Sequence, residues 1–530
     1  VSFARRAISR AAAGIIIGVI VTAIVVGVGT YYATISRIHV PAPRTVTVTV
    51  TKPYTTTVTK TVAITTTATK AITKTMVSTS VKTTTTSVTS TVTPTTTSTV
   101  TTGLPKKITF YTWWAGLERF AIDALIHAFE QKYHITVIKT AVPGGAGVNA
   151  KFAILALIMA GKPPAAFQVH ASAEQISYFM AAPQHTKSFV DLTNVAKEIG
   201  LYNTPAAIAS MLSGHLYGLP VDLHRANLLF INIHVLKKYG LPIPRTLKQL
   251  VYDAMVLKKH GVPAFLQAGA DQFTVAMLWT QLFLAVGGPK KYIEFMYGTL
   301  NPNDPAIKKA TELFVNLSKT FPSNWMSLDW TSAVAALIKG EGAFVVDGDW
   351  VVGLIHDVYP KVVLSPIDNI TKNTDIVVEP FPGTQGIYSL VIDCIMVPKG
   401  PEAKAGVLFA KFFASKQGQE IFNPLKGAIT DYPNTPLNIY PTEAQKWEVK
   451  QYSTAKYYVY ALIHGGLFDD VWQKFLQSSI LLAQTGNTNL WYKMIDWAIH
   501  QEYKEWSASG MFMGSLQHPF AGYIPPWVKK

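Results

Sequence analysis

Tryptophan, histidine and carboxylate side chains recur where apolar runs end. Trp113, Trp114 and Glu118 follow the run Lys107–Thr112, and Gln168 and His170 close the run around Phe167. Asp222 and His224 lie in Gly218-Leu-Pro-Val-Asp-Leu-His-Arg225, and Asp349 and Trp350 end Val345-Val-Asp-Gly-Asp-Trp350. In open α/β sheets a ligand sits beyond the carboxyl ends of the strands, so these residues are candidates for one site. Indole faces beside planar polar groups suit a sugar. The C–H face of the ring packs on the indole, and the hydroxyls need donors and acceptors in fixed positions. Against this, a tryptophan taken singly is more often core than site.

Other chemistries fare worse. Gly144, Gly145 and Gly147 invite a dinucleotide reading, but the last glycine of that pattern is replaced by Asn149 and no acid follows before Glu174. There is no Walker pattern either, so the segment reads as a tight turn whose amides approach a hydroxyl-rich ligand. Neither His-Glu-x-x-His nor Gly-x-Ser-x-Gly occurs, and the 13 histidines are scattered along the chain, so neither a catalytic residue nor a metal cluster is expected. The acids at strand ends, Asp222, Asp347, Asp349 and Asp393, admit a glycosidase pair, but sequence does not fix their separation. Cys394 is the single cysteine, which excludes an internal disulfide and any zinc site of several thiolates.

Alternating strands and helices must position these residues. Lys107–Thr112 reads as a strand and Phe120–Tyr133 as a helix, with Phe120, Leu125, Ile126 and Phe129 at helical spacing. Next come a strand at 135–138, a helix at 149–160 and a third strand at 167–170. That alternation predicts a parallel sheet with helices on both faces. Further strands are expected near 228–233, 343–346 and 390–397, with helices near 247–260, 306–318, 403–413 and 471–482. So much alternating chain predicts two α/β lobes.

The 530 residues, 49% hydrophobic, allow two or three domains and exclude a disordered chain. The net charge of +16 is not a nucleic-acid footprint. Residues 1–107 carry 12 Lys/Arg and no acid, whereas the remaining 423 carry 35 basic and 31 acidic groups, a net of +4. Arg5, Arg6 and Arg10 precede an uncharged apolar run at 11–33. As a helix these residues span about 34 Å, enough for a bilayer, with the arginine side inside and Tyr31 and Tyr32 at the interface. The first residue is Val1 rather than Met, which reads as an end left by clipping a short basic leader, and residues 1–35 are expected to anchor the protein. Of the 58 residues from 45 to 102, 29 are Thr. Such a tract cannot form a core, so 36–106 is expected to be an O-glycosylated stalk.

Eight motifs occur in order across 107–470. They are Thr112-Trp-Trp-Ala-Gly116, Pro143-Gly-Gly-Ala-Gly-Val-Asn149, Phe167-Gln-Val-His170, His224-Arg225, Gly348-Asp-Trp350, Phe381-Pro-Gly-Thr-Gln-Gly386, Phe422-Asn-Pro-Leu-Lys-Gly427 and Ile463-His-Gly465. Together they resemble the extracellular solute-binding proteins (family 1) of ABC sugar transporters, in the glucose-binding group. The N-terminal arrangement is similar to archaeal pilin-type leaders. The resemblance implies a periplasmic-binding-protein-like flytrap of two lobes, 107–221 plus 386–440 and 222–385 plus 441–530. It implies an aldohexose (glucose, galactose or mannose) between the lobes, no cofactor, an ABC permease as partner and an extracellular, membrane-anchored location. The implied sugar ligands are Trp113, Trp114, Glu118, Gln168, His170, His224, Asp349, Lys426 and His464, with Gly144 and Gly145 at the glycine turn and Trp279 and Trp330 as stacking platforms. Asp222 stands where the family often has another residue. Two other readings stay open: a pilin-like filament subunit that assembles through the N-terminal helix and displays a sugar-binding domain, and a surface glycoside hydrolase.

Overall fold

Lys107–Thr112 alternates between buried and half-exposed positions, and its Ile108, Phe110 and Thr112 point into a core as a strand with one covered face requires. The computed structural model describes residues 103–142 and 147–511, which fall within one unit of the chain, 96–530. The expected anchor, the stalk up to residue 102, and Gly144 and Gly145 lie outside the described residues. Among the described residues no helix is long and apolar enough to cross a membrane.

The strand β1 (Lys107–Thr112) leads through a short 3-10 turn into the helix Phe120–Tyr133, which buries Ile122, Leu125, Ile126 and Phe129 on one stripe. β2 (Thr136–Ala141), the helix Val148–Met159 and β3 (Ala166–His170) follow. β4 (Gly218–Pro220), β5 (His224–Arg225) and β6 (Leu228–Asn232) come next in quick succession. β7 (Phe344–Asp347), β8 (Leu364–Pro366), β9 (Ile376–Pro380), β10 (Ile387–Val391), β11 (Asp393–Met396) and β12 (Tyr457–Tyr460) complete the set.

Among the described residues these strands form three sheets, in the orders β2-β1-β3-β11-β4, β12-β10-β5 and β7-β6-β9-β8. β1 runs parallel to β2 and β3, as the strand–helix–strand alternation predicts. β11 is antiparallel to both β3 and β4, so the first sheet is mixed, not wholly parallel. The reason is topological: β11 enters this sheet after the chain has built the third sheet. The strand expected at 390–397 is two strands that break at Ile392, β10 in the middle sheet and β11 in the first. Two stretches, 218–232 and 376–396, thus each supply one strand to every sheet. Cys394 lies on β11, fully buried, with its thiol 3.7 Å from the Ser210 hydroxyl.

Two apolar cores flank these crossings. In the first, Phe110 and Phe129 meet Phe409 at ring separations of 4.9 and 5.1 Å, and Trp114 meets Phe422 at 4.7 Å. The second and larger core contains the long helix Gln272–Met296, kinked at Gly288 before Pro289. Trp279 on that helix is fully buried. Its ring stacks on Phe283 at 5.2 Å, takes the edge of Trp491 at 5.2 Å, and donates its N–H to the Thr311 hydroxyl at 3.1 Å. The expectation of a sugar platform at Trp279 is therefore corrected. Burial of a whole indole among aromatic neighbours makes Trp279→Ala a core truncation, expected to cost about 3–5 kcal/mol. Denaturant unfolding of the full chain measures this cost. A stacking platform would instead lose ligand affinity at unchanged stability.

Candidate functional site

Where the two crossing stretches leave the first sheet, the space beside them stays open. About 550 Å³ of empty space, open solvent included, lies in this cleft. The loop after β1 supplies Trp113, Trp114 and Glu118 as one wall, and His170 comes from the last position of β3. The floor is His224 of β5, Val391 of β10 and Asp393 of β11. Helix starts supply the rest of the lining: Asp271 and Phe273, Trp330, and Trp350. Lys426 ends a helix, and His464 sits in the tight turn Leu462–Gly466.

Local sequence explains several of these placements. Gly465 has φ of 94°, and a Cβ there would lie 2.3 Å from the Ala171 carbonyl oxygen, so only glycine lets the His464 turn press on the end of β3. At Gly348 a Cβ would lie 2.3 Å from the Trp350 ring, so glycine frees that indole to fold back over the cleft. Asp329 caps the helix that begins at Trp330, and the Trp330 amide donates to Asp271 at 2.9 Å.

The rings form a continuous arc. Trp113 and His170 lie 4.8 Å apart, His170 and His464 5.4 Å, His464 and Trp350 5.0 Å, and Trp350 and His224 5.5 Å. Across the arc Lys426 reaches Glu118 at 3.3 Å. Burial pushes the imidazoles of His224 and His464 well below their usual range, and Lys426 adds to the effect. The cleft therefore offers neutral imidazoles, one ammonium and several carboxyl groups, a mixture of donors and acceptors on an aromatic surface.

A second layer holds the first. Gln168 is fully buried; its amide donates to Asp393 at 2.8 Å, and its oxygen accepts from the Thr112 hydroxyl and from the Trp113 amide at 3.2 Å. His170 pairs through Nδ1 with Glu174 at 2.7 Å, and Lys151 binds Glu174 at 3.1 Å and Asp469 at 2.9 Å. Asp349 pairs with Nδ1 of His224 and accepts from the Arg225 amide at 3.0 Å. It stands at the start of the helix Trp350–Val358 without capping it through its side chain.

The sequence profile of the bacterial extracellular solute-binding protein matches residues 115–420. The glucose-binding protein GlcS of Saccharolobus solfataricus is 38% identical over 447 residues, 79% of each chain. The chain belongs to the bacterial extracellular solute-binding protein family. An ABC transporter extracellular-binding protein of Pyrococcus horikoshii is 32% identical over 66% of this solute-binding protein and 77% of its own length. Among solved structures, a chitin oligosaccharide binding protein shares the fold with a TM-score of 0.62 at 19% identity, covering 76% of this chain and 99% of its own. Maltose-bound MalE3 of T. maritima does so with 0.57 at 17% identity, covering 76% and 99%. At such identities the likeness is one of fold, the two-lobe α/β receptor.

In this solute-binding protein Trp113, Trp114, Glu118, His170, His224, Trp330, Lys426 and His464 converge on the cleft. Gln168 and Asp349 do not line it; they stand behind Trp113 and His224 and hold them. Of the four strand-end acids, Asp393 alone lines the cleft, and Asp222 is buried at its base. Asp271, Phe273, Trp350, Val391 and Asp393 line the cleft without belonging to the ligand set that the family resemblance implies. Trp350 and Asp393 carried the strand-end signal, whereas Asp271 reads only as a helix start and Val391 as an ordinary core residue.

Several buried acids hold their protons more tightly than free carboxyl groups do. Burial pushes Asp347 up to about 8, Glu379 to about 8 against the pull of Arg245, and Glu448 to about 7 against that of Arg225. The folded chain then binds more protons than the unfolded chain between about pH 4 and pH 8. This contribution to stability is full below about pH 4 and is lost as pH rises through 7 to 8. The Tm is expected to fall between pH about 4.5 and about 8.5, and Asp347→Asn to flatten part of that fall. A Tm that rises across this range would contradict the assignment.

Proposed function

We propose that this protein captures a glucose-type aldohexose in the cleft and delivers it to an ABC transporter permease, making and breaking no bond. The observation that carries the reading is the arc of indole and imidazole rings facing the Glu118–Lys426 pair. A pyranose has the matching shape, an apolar C–H face with hydroxyls around its edge. The relative named as glucose-binding supports this class of ligand, and one from Haloferax volcanii, named as a xylose/arabinose-binding protein, is 25% identical. In this reading Trp113, Trp330 and Trp350 stack on the sugar, while Glu118, His170, His224, Asp393, Lys426 and His464 bind its hydroxyls. Gly144 and Gly145, outside the described residues, stay in this reading as ligands that the family resemblance implies. The crossings 218–232 and 376–396 act as the hinge, and the sugar shifts the population toward the closed form.

Residues 1–35 anchor the protein at the outer face of the membrane and the Thr-rich stretch 36–106 holds the lobes clear of it as a glycosylated stalk. The anchor is tested by fractionation: the full chain should sediment with membranes, and a chain lacking residues 1–35 should not.

Calorimetry of the purified full chain against a panel of hexoses tests the ligand. One site per chain with glucose among the preferred sugars is the expected result, and steady hydrolysis of aryl glucosides would defeat the binding-only reading. Hydrogen bonds to charged groups contribute about 1.5–3 kcal/mol, so Lys426→Met is expected to weaken binding roughly 10- to 150-fold. Asp349→Ala should weaken it too, through the released His224, and should also lower Tm. Unchanged affinity in Lys426→Met would remove that residue from the site.

A further inference from the structure

We infer that the floor of the cleft is a binding site for a divalent transition-metal ion of the Zn²⁺ class, formed by His224 Nε2 and one carboxylate oxygen each of Asp222 and Asp393. Scattered in sequence, these groups converge because His224 of β5 pairs with Val391 at the end of β10, and the Asp393 amide at the start of β11 donates to Asp222, which lies between β4 and β5. His224 Nε2 lies 3.6 Å from Asp222 Oδ2 and 4.0 Å from Asp393 Oδ2, and one donor atom from each residue lies within 4.8 Å of the others. All three residues are buried, and neither His224 Nε2 nor Asp222 Oδ2 has a hydrogen-bond partner among the described residues. These separations are too long for hydrogen bonds. The two separations from His224 Nε2 suit donors that share one ion at about 2.0–2.2 Å, which stand about 3.3–4 Å apart.

The surroundings of each donor favour an ion over an accidental cluster. Every one of the three side chains has its other polar atom already bound. His224 Nδ1 pairs with Asp349, Asp222 Oδ1 accepts from the Asp393 amide at 2.9 Å, and Asp393 Oδ1 accepts from Gln168 at 2.8 Å. The second atoms are thereby aimed at a common point, as outer partners orient metal ligands. A carboxylate behind the imidazole also fixes which ring nitrogen faces the ion. One nitrogen and two oxygens suit Zn²⁺, Co²⁺ or Ni²⁺ better than Ca²⁺ or Mg²⁺, which prefer oxygen alone. His224 and Asp393 line the cleft and Asp222 does not, so the open coordination position faces the cleft, where water or a ligand hydroxyl completes the shell.

The inference shares His224 and Asp393 with the sugar reading: with the ion bound they meet a sugar hydroxyl through its open position and not directly, and the two readings are tested separately. The full chain is stripped with a chelator and titrated with CoCl₂, then with ZnCl₂. One Co²⁺ per chain is expected, with the visible absorption of a low-coordinate nitrogen–oxygen site that Zn²⁺ abolishes, and Asp222→Asn should weaken Co²⁺ at least tenfold. X-ray absorption at the zinc edge of the unaltered chain, which needs no variant to fold, should read one imidazole with the remaining ligands oxygen. No stoichiometric Co²⁺ binding, a shell of two or more imidazoles, or an affinity unmoved in a folded Asp222→Asn chain overturns the inference. Glucose calorimetry on the same preparations separates the two readings. A chain that binds glucose but no Co²⁺ overturns this inference alone, and one that binds Co²⁺ but no hexose overturns the sugar reading alone.

Discussion

Two stretches of backbone must satisfy their hydrogen bonds in three sheets in turn, and the rest of the architecture depends on that constraint. Residues 218–232 and 376–396 change sheet twice each, at 221–227 and at 381–392. At each change the strand loses one set of neighbours before it gains the next, and side chains there face a gap instead of a packed sheet. His224, Val391 and Asp393 all sit at such changes. The backbone holding them is nonetheless fixed, because β5 pairs with β10, and β11 with β3 and β4. A rigid floor under an open cleft is what a receptor needs if binding is to draw two lobes together without first ordering the site.

The electrostatics follow from burial. The cleft floor and the layer behind it contain Asp222, Asp347 and Asp349, all fully buried. Burial disfavours their charged forms, pushing Asp222 and Asp349 well above the usual carboxylate range. The neighbouring Glu174 goes the other way: burial acts against it, but Lys151 and His170 hold it charged. The two histidines of the cleft that have carboxylate partners, His170 and His224, therefore stand before differently ionised acids, although both pair through Nδ1.

Much of the fold was legible because local and tertiary signals agreed. β1 and the helix Phe120–Tyr133 have the bounds that periodicity predicts, since their buried faces are the apolar ones. The break at Ile392 was not legible, because 387–397 is an almost unbroken apolar run and nothing in it marks a change of sheet. Trp113 and Trp279 show the same limit for the site. Trp113 follows a strand end and faces the cleft, whereas Trp279 lies within an apolar helix where the burial tendency of tryptophan decides. His170 and His224, 54 residues apart, share a strand-end signal that groups them, whereas His464 has no such signal and is reached only through its motif Ile463-His-Gly465.

The position of Cys394 has a consequence for chemical damage. The thiol sits on β11 between β3 and β4, one residue from Asp393, and burial pushes it well above its ordinary range. A protonated, enclosed thiol is a poor nucleophile and meets no oxidant. It becomes reactive only in molecules whose first sheet has come apart along β11. The chain thus carries its own clock for the opening of β11: thiol modification counts only the copies in which that strand has already come away from its neighbours.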